Sequence, residues 1–171
     1  MNAGRKATAT KSSGAPGRIM DALRRAVRTL RQANQTARRE LGVSAAQLFV
    51  LRQIAELPGL SLSDLAARTH TAQSSVSEVV SRLVAGGLIL RSVSTVDKRR
   101  VRLALTPVGE SITARATSTI QERLIGGLGH LSDAERARLA DSLEAWLAAA
   151  GLEKVPPTMF FESGKRSRQT S

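Results

Sequence analysis

The sequence predicts a mainly α-helical protein with one small β-hairpin. Among the 171 residues 42% are hydrophobic but only 2% are aromatic, so the core is expected to consist of Leu, Val, Ile and Ala, as in packed helices. Several segments combine a helix-capping residue with apolar residues at helical spacing. One stretch, residues 88–105, instead alternates apolar and polar residues on either side of a loop, as a pair of strands does.

Charge indicates the kind of partner. The chain has a net charge of +12, which favours a polyanion such as nucleic acid. Residues 1–40 contain ten Lys and Arg against two acidic residues, and residues 60–106 contain seven against three. Residues 107–151 contain only four against six. The basic surface is therefore expected in the N-terminal and central parts of the chain.

Composition also excludes several kinds of site. The chain has no cysteine, which rules out disulfides, thiol switches and zinc–thiolate centres. No apolar stretch approaches the roughly 20 residues of a membrane span, and the N-terminus lacks the apolar core of a signal peptide, so we expect a cytoplasmic protein without a membrane partner. Residues 1–17 are small, polar and basic, which predicts a disordered tail.

The first predicted helix, residues 18–42, has heptad spacing. Its seam positions alternate intervals of four and three residues, as in a helix packed along another helix, and this indicates an oligomer. Asn34 interrupts the seam, where it either fixes the register of the paired helices or faces water. Gly42 is expected to end the helix. The seam consists of Leu23, Val27, Leu30, Asn34, Ala37 and Leu41.

Three shorter helices are predicted next. Ser44 with Gln47, and Ser61 with Asp64, form the capping-box patterns that begin the first two, and residues 57–59 separate them. The third helix places four apolar residues at i, i+3, i+4 and i+7, which predicts a single narrow buried stripe. The stripe consists of Val76, Val79, Val80 and Leu83.

The opposite side of the third helix consists mostly of serine, although exposed helix positions usually hold Glu, Lys or Arg. Short polar side chains allow close approach to base edges in a DNA major groove, and the positive end of the helix favours phosphate. A plain solvent-exposed face is the alternative. The candidate DNA-binding residues are Ser74, Ser75, Ser77, Ser81 and Arg82 on this side, and Gln73 at the border of the stripe near the N-terminus.

The predicted β-hairpin follows this helix directly. Its strands lie within residues 88–92 and 101–105, and the loop between them is strongly basic. Helix, turn, serine-rich helix and a two-stranded ribbon with a basic tip form the order of parts in a winged helix-turn-helix. Residues 43–106 are therefore predicted to form a winged helix-turn-helix DNA-binding domain. The charged loop residues are Asp97, Lys98, Arg99 and Arg100.

The end of the hairpin resembles a family signature. The pattern D-x-R-x-x-x-x-x-L-T, followed by proline and glycine, is similar to the wing signature of the MarR family of bacterial transcription regulators, and the resemblance covers residues 18–151. It comprises Asp97, Arg99, Leu105, Thr106, Pro107 and Gly109. The resemblance implies that Arg99 reaches into the minor groove, held in direction by Asp97, while Lys98 and Arg100 contact phosphates. A solvated loop that discourages pairing at a sheet edge is the alternative.

The remaining helices are expected to form a dimer. Thr106 and Pro107 begin a long helix with apolar residues every four positions up to residue 128. Ser132 with Glu135 begins a last helix that Gly151 closes. The resemblance implies that these two helices interlock with the first helix and with their counterparts in a second copy.

The resulting domain organisation assigns residues 18–42 and 107–151 to a helical dimerisation region and residues 152–171 to a C-terminal tail. The expected interface residues are Leu23, Val27, Leu30, Ile120, Leu143 and Trp146. In the tail, Met159, Phe160 and Phe161 are expected to pack on the partner chain.

The sequence contains no recognisable catalytic constellation. His70 and His130 lie in or beside predicted loops without a carboxylate at ligand spacing, and there is no nucleophile or phosphate-loop motif. We therefore predict neither an enzyme nor a cofactor or metal site.

The resemblance implies an effector site, because members of the family commonly bind small, often anionic aromatic molecules between the dimerisation helices and the winged domain. Ungapped alignment places Arg25, Arg28, Ala45 and Phe49 there, although arginines three residues apart usually form just a solvated helix face. The predicted function is a homodimeric repressor that binds an inverted-repeat operator in double-stranded DNA and is released by such a ligand. The alternatives are a non-specific architectural DNA-binding protein and an adaptor whose basic face binds an acidic protein.

Overall fold

The computed structural model describes residues 14–93, 101–116 and 118–161. Within these ranges the chain forms seven helices and a two-stranded antiparallel sheet, which confirms the predicted mainly α fold with a hairpin. No described helix is long and apolar enough to cross a membrane. The elements are α1 (Ala15–Leu41), α2 (Ala45–Glu56), α3 (Leu62–Thr69), α4 (Gln73–Ala85), β1 (Ile89–Val93), β2 (Val101–Leu105), α5 (Pro107–Ala114), α6 (Ile120–Leu128) and α7 (Asp133–Ala149).

Helix α2 lies at the centre of the fold. Eight of its twelve residues are buried, and it packs against α1, α3, α4, α5 and β2. Its predicted capping box is present. The backbone N–H of Gln47 donates to Ser44 Oγ at 3.1 Å, and the backbone N–H of Ser44 donates to Gln47 Oε1 at 2.9 Å. The equivalent box of Ser61 and Asp64 begins α3.

Helix α4 is anchored by the predicted stripe. Val76, Val79, Val80 and Leu83 are all fully buried, in one cluster with α2, Leu65 of α3 and the two strands. Burying an aliphatic side chain stabilises a fold by roughly 1.5–3 kcal/mol. The stripe therefore fixes which side of α4 faces outward.

The hairpin is extended by a third segment. Val93 pairs with Val101, and Arg91 pairs with Leu103, in an antiparallel register. On the other edge of β2 the Gly59 N–H donates to the Leu103 carbonyl and the Leu103 N–H donates to the Leu60 carbonyl, both at 3.0 Å. Because β2 is bonded on both edges, the ribbon has a fixed position relative to the α2–α3 connection.

The prediction of one continuous helix from residue 107 to residue 128 is wrong, because the chain forms two helices there, α5 and α6. Thr119 and Glu122 form a capping box in which the Thr119 N–H donates to Glu122 Oε2 at 2.7 Å and the Glu122 N–H donates to Thr119 Oγ1 at 3.2 Å. A capping box starts a new helix at that point. The apolar period of four residues continues through the break and conceals it.

The break is held against α2 by Arg52. Its Nε donates to both carboxylate oxygens of Glu122, at 2.8 and 3.1 Å, and its Nη1 donates to the Ala116 carbonyl at 3.3 Å. The side chains of Arg52 and Glu122 are only 22% and 17% exposed. One arginine thus bonds to groups on both sides of the break.

Helix α1 begins at Ala15, earlier than predicted, and ends at the predicted Gly42, which adopts the left-handed conformation with φ 73°. Asn34 makes a contact that neither predicted role included. Its Oδ1 accepts a hydrogen bond from the Ala45 N–H at 3.0 Å, so the side chain caps the start of α2. The side chain at this seam position therefore makes a contact within its own chain, which the spacing of apolar residues in α1 does not predict.

Helix α7 has the predicted capping box but no buried residue. The Ser132 hydroxyl and backbone N–H both donate to Glu135 Oε2, and these hydrogen bonds hold the pKa of the Glu135 carboxyl below its ordinary value. The stabilisation from this pair is therefore complete above the ordinary pKa of Glu and is lost as the pH falls through the lowered value.

The position of Met159 in the C-terminal tail differs from the prediction that it packs on a partner chain. Met159 is only 6% exposed and belongs to the core cluster of its own chain rather than to a contact with a partner. Phe160 is 54% exposed, and Phe161 is half-buried. The tail thus returns to the body of the molecule after α7.

We predict that Asn34→Ala lowers the free energy of unfolding by about 1 kcal/mol, because the Ala45 N–H loses its acceptor. Urea denaturation followed by circular dichroism measures this change, with Gln35→Ala, an exposed neighbour on α1, as the control. An increase in stability for Asn34→Ala, or an altered oligomeric state, would instead support the role in helix register.

Candidate nucleic-acid interface

The predicted DNA-reading residues lie together on the outer face of α4. Gln73, Ser74 and Ser81 are exposed, and Ser75, Ser77 and Arg82 are half-buried. Ser74 and Ser81 lie opposite the buried stripe, Ser75, Ser77 and Arg82 lie on its flanks, and Gln73 lies at its border near the N-terminus. Because serine side chains are short, this face of the helix protrudes little, and the helix backbone can come close to the floor of a DNA groove.

The turn before α4 presents the N-terminus of this helix. His70 ends α3 in the left-handed conformation, with φ 50°, and the Thr71 N–H donates to the Ala66 carbonyl at 3.1 Å. The N-cap position of α4 is Ala72, and no side chain caps the helix there. The first backbone N–H groups of a helix lack intrahelical acceptors, so this end is suited to a phosphate oxygen.

Arg91 is a candidate site residue that was not predicted from the sequence. Arg91 lies on β1 and is exposed, and its Nη2 donates to Ser81 Oγ at 3.3 Å. The guanidinium therefore lies between the ribbon and the outer face of α4. A basic residue in a strand beside the serine-rich helix was the available signal, but the strand register was needed to orient it.

The other cations of this region have different partners. Arg68 donates to Gln53 Oε1 and to Glu56 Oε2, both at 3.0 Å, and is held within the α2–α3 pair. Arg102 donates to the Gly59 carbonyl at 3.1 Å. The described hydrogen bonds of Arg91 and Arg102 thus go to neutral oxygens, and their positive charge is not balanced there by a carboxylate.

The wing tip falls outside the described residues. Asp97, Lys98, Arg99 and Arg100 belong to residues 94–100, and only the strand ends on either side, Val93 and Val101, are described. Their assigned roles remain predictions.

The four predicted effector residues are not brought together. Arg25 and Arg28 are exposed on α1 and line neither of the two cavities described next. Ala45 lines a cavity of about 320 Å³ between α1, α2 and the α5–α6 connection, where Arg115 and Arg123 also lie. Phe49 lines a second cavity, of about 470 Å³, between α2, the α3–α4 turn, α6 and the tail.

The predicted interface residues divide by exposure. Leu23, Leu143 and Trp146 are 40%, 44% and 37% exposed, whereas Leu30 is only 5% exposed within its own chain. Val27 and Ile120 are half-buried.

The described residues contain no cluster of acidic and histidine side chains that could hold a metal ion.

Comparison with known proteins agrees with this architecture. The model of the MarR family matches residues 43–101. A protein of Thauera aromatica named as a transcriptional regulatory protein for the hcr operon is 37% identical over 118 residues, which cover 69% of this chain and 71% of that protein. The HTH-type transcriptional repressor MdtR of Bacillus subtilis is 32% identical over 114 residues, which cover 60% of this chain and 71% of MdtR.

A solved structure of a transcription regulator is also similar to this chain. BpsR of Bordetella bronchiseptica, described with a mechanism for regulation of its DNA binding by 6-hydroxynicotinic acid, is 26% identical, with a TM-score of 0.53 over 80% of this chain and 94% of BpsR. These relatives are regulators rather than enzymes. With its winged helix fold and these similarities, the chain belongs to the MarR family of DNA-binding transcription regulators.

Proposed function

We propose that the protein is a homodimeric repressor that binds an inverted-repeat operator and is released by a small molecule. The observation that carries the proposal is the outer face of α4, which joins an uncapped helix N-terminus, a serine-rich surface and the neighbouring Arg91. The description of MdtR as a repressor supports the proposal that this protein represses transcription rather than activates it.

In the proposed complex α4 enters the major groove. Its exposed residues, above all Gln73 and Ser74 at the N-terminal end, read base edges, and Arg82 and Arg91 contact flanking phosphates. The wing tip carries Arg99 into the minor groove beside the same half-site, with Asp97 holding its direction and Lys98 and Arg100 on phosphates.

The proposed dimer uses α1 and α7, within residues 18–42 and 107–151. Helix α7 has seventeen residues and none is buried, yet one face carries Leu139, Leu143, Trp146 and Leu147, each about two-fifths exposed. A helix with such an apolar stripe requires a covering surface. A second copy supplies it and sets two α4 helices about one DNA turn apart.

The effector is proposed to be a small aromatic acid bound in the cavity of about 320 Å³. Arg115 and Arg123 line this cavity together with one acidic residue, Glu40, so its wall carries a net positive charge that can balance a carboxylate, whereas Arg25 and Arg28 lie outside it. The regulation of BpsR by 6-hydroxynicotinic acid supports this ligand class.

Fluorescence anisotropy on an inverted-repeat DNA near the protein's own gene, compared with a scrambled duplex, tests the function. We expect the specific duplex to bind at least 1000-fold more tightly, the usual ratio for a specific binder being about 10³–10⁷. Equal affinity with a steep salt dependence would indicate the architectural protein, which the net charge of +12 favours. Binding to neither duplex would indicate the adaptor.

We predict that Arg91→Ala and Arg99→Ala weaken DNA binding in different ways. Loss of the phosphate contact of Arg91 should weaken operator and scrambled DNA equally and reduce the salt slope by about 1. Loss of Arg99 should weaken the operator more than the scrambled duplex. Lys154→Ala, in the tail, is the control and should change neither. An Arg91→Ala protein with unchanged salt dependence would remove Arg91 from the interface.

We predict that Leu143→Asp converts the protein to a monomer, because a buried carboxylate opposes burial of the α7 face. Light scattering reports the mass, and operator affinity should fall by about 100-fold or more through loss of the second half-site. Leu57→Asp changes a residue of similar exposure, 50%, in the α2–α3 connection and is the control. A dimeric Leu143→Asp protein would exclude α7 from the interface.

A further inference from the structure

The turn that ends the proposed reading helix α4 is bonded directly to the start of α5. The Gly87 N–H donates to the Val84 carbonyl at 3.0 Å and the Leu88 N–H donates to the Leu83 carbonyl at 2.9 Å, so a Schellman motif closes the last turn of α4. Gly87 takes the left-handed conformation that this motif favours, with φ 68°. The carbonyls of Gly87 and Leu88 remain as acceptors for another element.

Thr106 bonds to both of these carbonyls. Its backbone N–H donates to the Leu88 carbonyl at 3.1 Å, and its hydroxyl donates to the Gly87 carbonyl at 2.8 Å. The same hydroxyl oxygen accepts a hydrogen bond from the Gly109 N–H at 3.1 Å and so caps α5. One threonine side chain therefore joins the end of α4 to the first turn of α5.

Gly109 allows the two backbones to touch. It is the only buried residue among the eight of α5, all of which the structure describes. A Cβ atom on Gly109 would overlap the carbonyl oxygen of Leu88, which belongs to the backbone and cannot turn aside as a flexible side chain does. Glycine is the residue that permits such a close approach. We call this contact, made by Thr106 and Gly109 with residues 87–88, the α4–α5 joint.

The α4–α5 joint lies at a connection between the winged domain and the proposed dimerisation region. The chain passes between these two parts twice, at residues 42–44 and at the joint. Arg52 bonds to the Ala116 carbonyl just after α5, so the joint and Arg52 hold the two ends of this helix. Two parts connected at one place can turn about it, whereas a second connection fixes the angle between them. Because the joint ends on the last turn of α4, that angle includes the reading helix.

We propose that Thr106 and Gly109 are positioning residues for operator binding. The α4–α5 joint sets the angle between α4 and the dimerisation helices, and thereby the spacing of the two half-sites that a dimer can bind at once. This inference rests on the proposed function, because spacing matters only for a dimer on an inverted repeat. One added base pair moves a half-site by about 3.4 Å and turns it by about a tenth of a turn, so a rigid joint makes binding depend on spacing.

Fluorescence anisotropy on operators whose spacer is natural, or longer or shorter by one or two base pairs, tests the joint. We expect the unaltered protein to bind the natural spacing about 100-fold more tightly than the others, which lose the second half-site. Thr106→Val keeps the size of the side chain but removes the hydroxyl, and should reduce this preference to about tenfold or less. Thr106→Ser keeps the hydroxyl and should retain the preference. A duplex with a single half-site should bind all three proteins equally, because α4 itself is unaltered.

Ser61→Ala is the matched control for stability. It also removes a capping hydroxyl, that of α3, but leaves α5 unaltered. We expect it to lower the Tm and to leave the spacing preference unchanged. The same loss of preference in Ser61→Ala as in Thr106→Val would show that lower stability, rather than the joint, is the cause.

The remaining outcomes also decide the proposal. An undiminished preference in Thr106→Val, or a Thr106→Ser protein that behaves like Thr106→Val, would overturn it. Gly109→Ala should also reduce the preference, and a folded Gly109→Ala protein with the natural preference would contradict the role of the glycine. Where that variant does not fold, as judged by circular dichroism, the two exchanges at Thr106 decide. An unaltered protein that prefers the operator to scrambled DNA but tolerates every spacing would contradict the joint alone, whereas equal binding to operator and scrambled DNA would contradict the proposed function.

Discussion

The burial of α2 on nearly every side is the constraint on which the other elements depend. Because α2 packs against α1, α3, α4, α5 and β2 at once, the helix proposed to read DNA and helix α1 of the proposed dimer take their positions from one element. Asn34 and Arg52 add polar contacts at its two flanks, to α1 and to the α5–α6 break. A displacement of α2 therefore changes both regions together.

The distribution of charge separates structural cations from those available to DNA. Arg52 bonds to the largely buried Glu122 and Arg68 to the exposed Glu56, so the charges of both arginines are paired within the chain. Arg91 bonds to a serine hydroxyl on the outer face of α4, which directs its side chain without neutralising it. Since free cations facing a duplex release counterions on binding, a small number of such residues accounts for much of the affinity.

Local signals in the sequence predicted the fold better than periodicity did. The boxes beginning at Ser44, Ser61 and Ser132 each mark a helix start, because cap and helix lie within four residues of each other. The box of Thr119 and Glu122 carries the same signal but was overlooked, since the apolar period of four residues runs through it. The exposed side of α4 was predictable from its buried stripe, whose periodicity is uninterrupted, and the role of that side in reading DNA stays a prediction.

Contacts between elements distant in the chain were not predictable. The role of Asn34 depends on where α2 begins relative to α1, and the orientation of Arg91 depends on the strand register. Neither quantity is encoded in a short pattern. The burial of Gln121, whose side-chain amide has no hydrogen-bond partner among the described residues, is likewise invisible in the sequence, because a glutamine on the first turn of a helix ordinarily reaches water.

The break between α5 and α6 changes how movement can pass through the molecule. A single helix from residue 107 to residue 128 would move as a rod and carry the winged part with it. With two helices, α6 can tilt relative to α5 only by disturbing Arg52, which bonds to Ala116 on one side of the break and Glu122 on the other. The side chains of Arg52 and Glu122 are mostly screened from water, so separating them costs more than separating a surface pair, because each charge would be left without its partner. Since Arg52 belongs to α2 and α2 packs on α4, a movement of this contact would also displace α4.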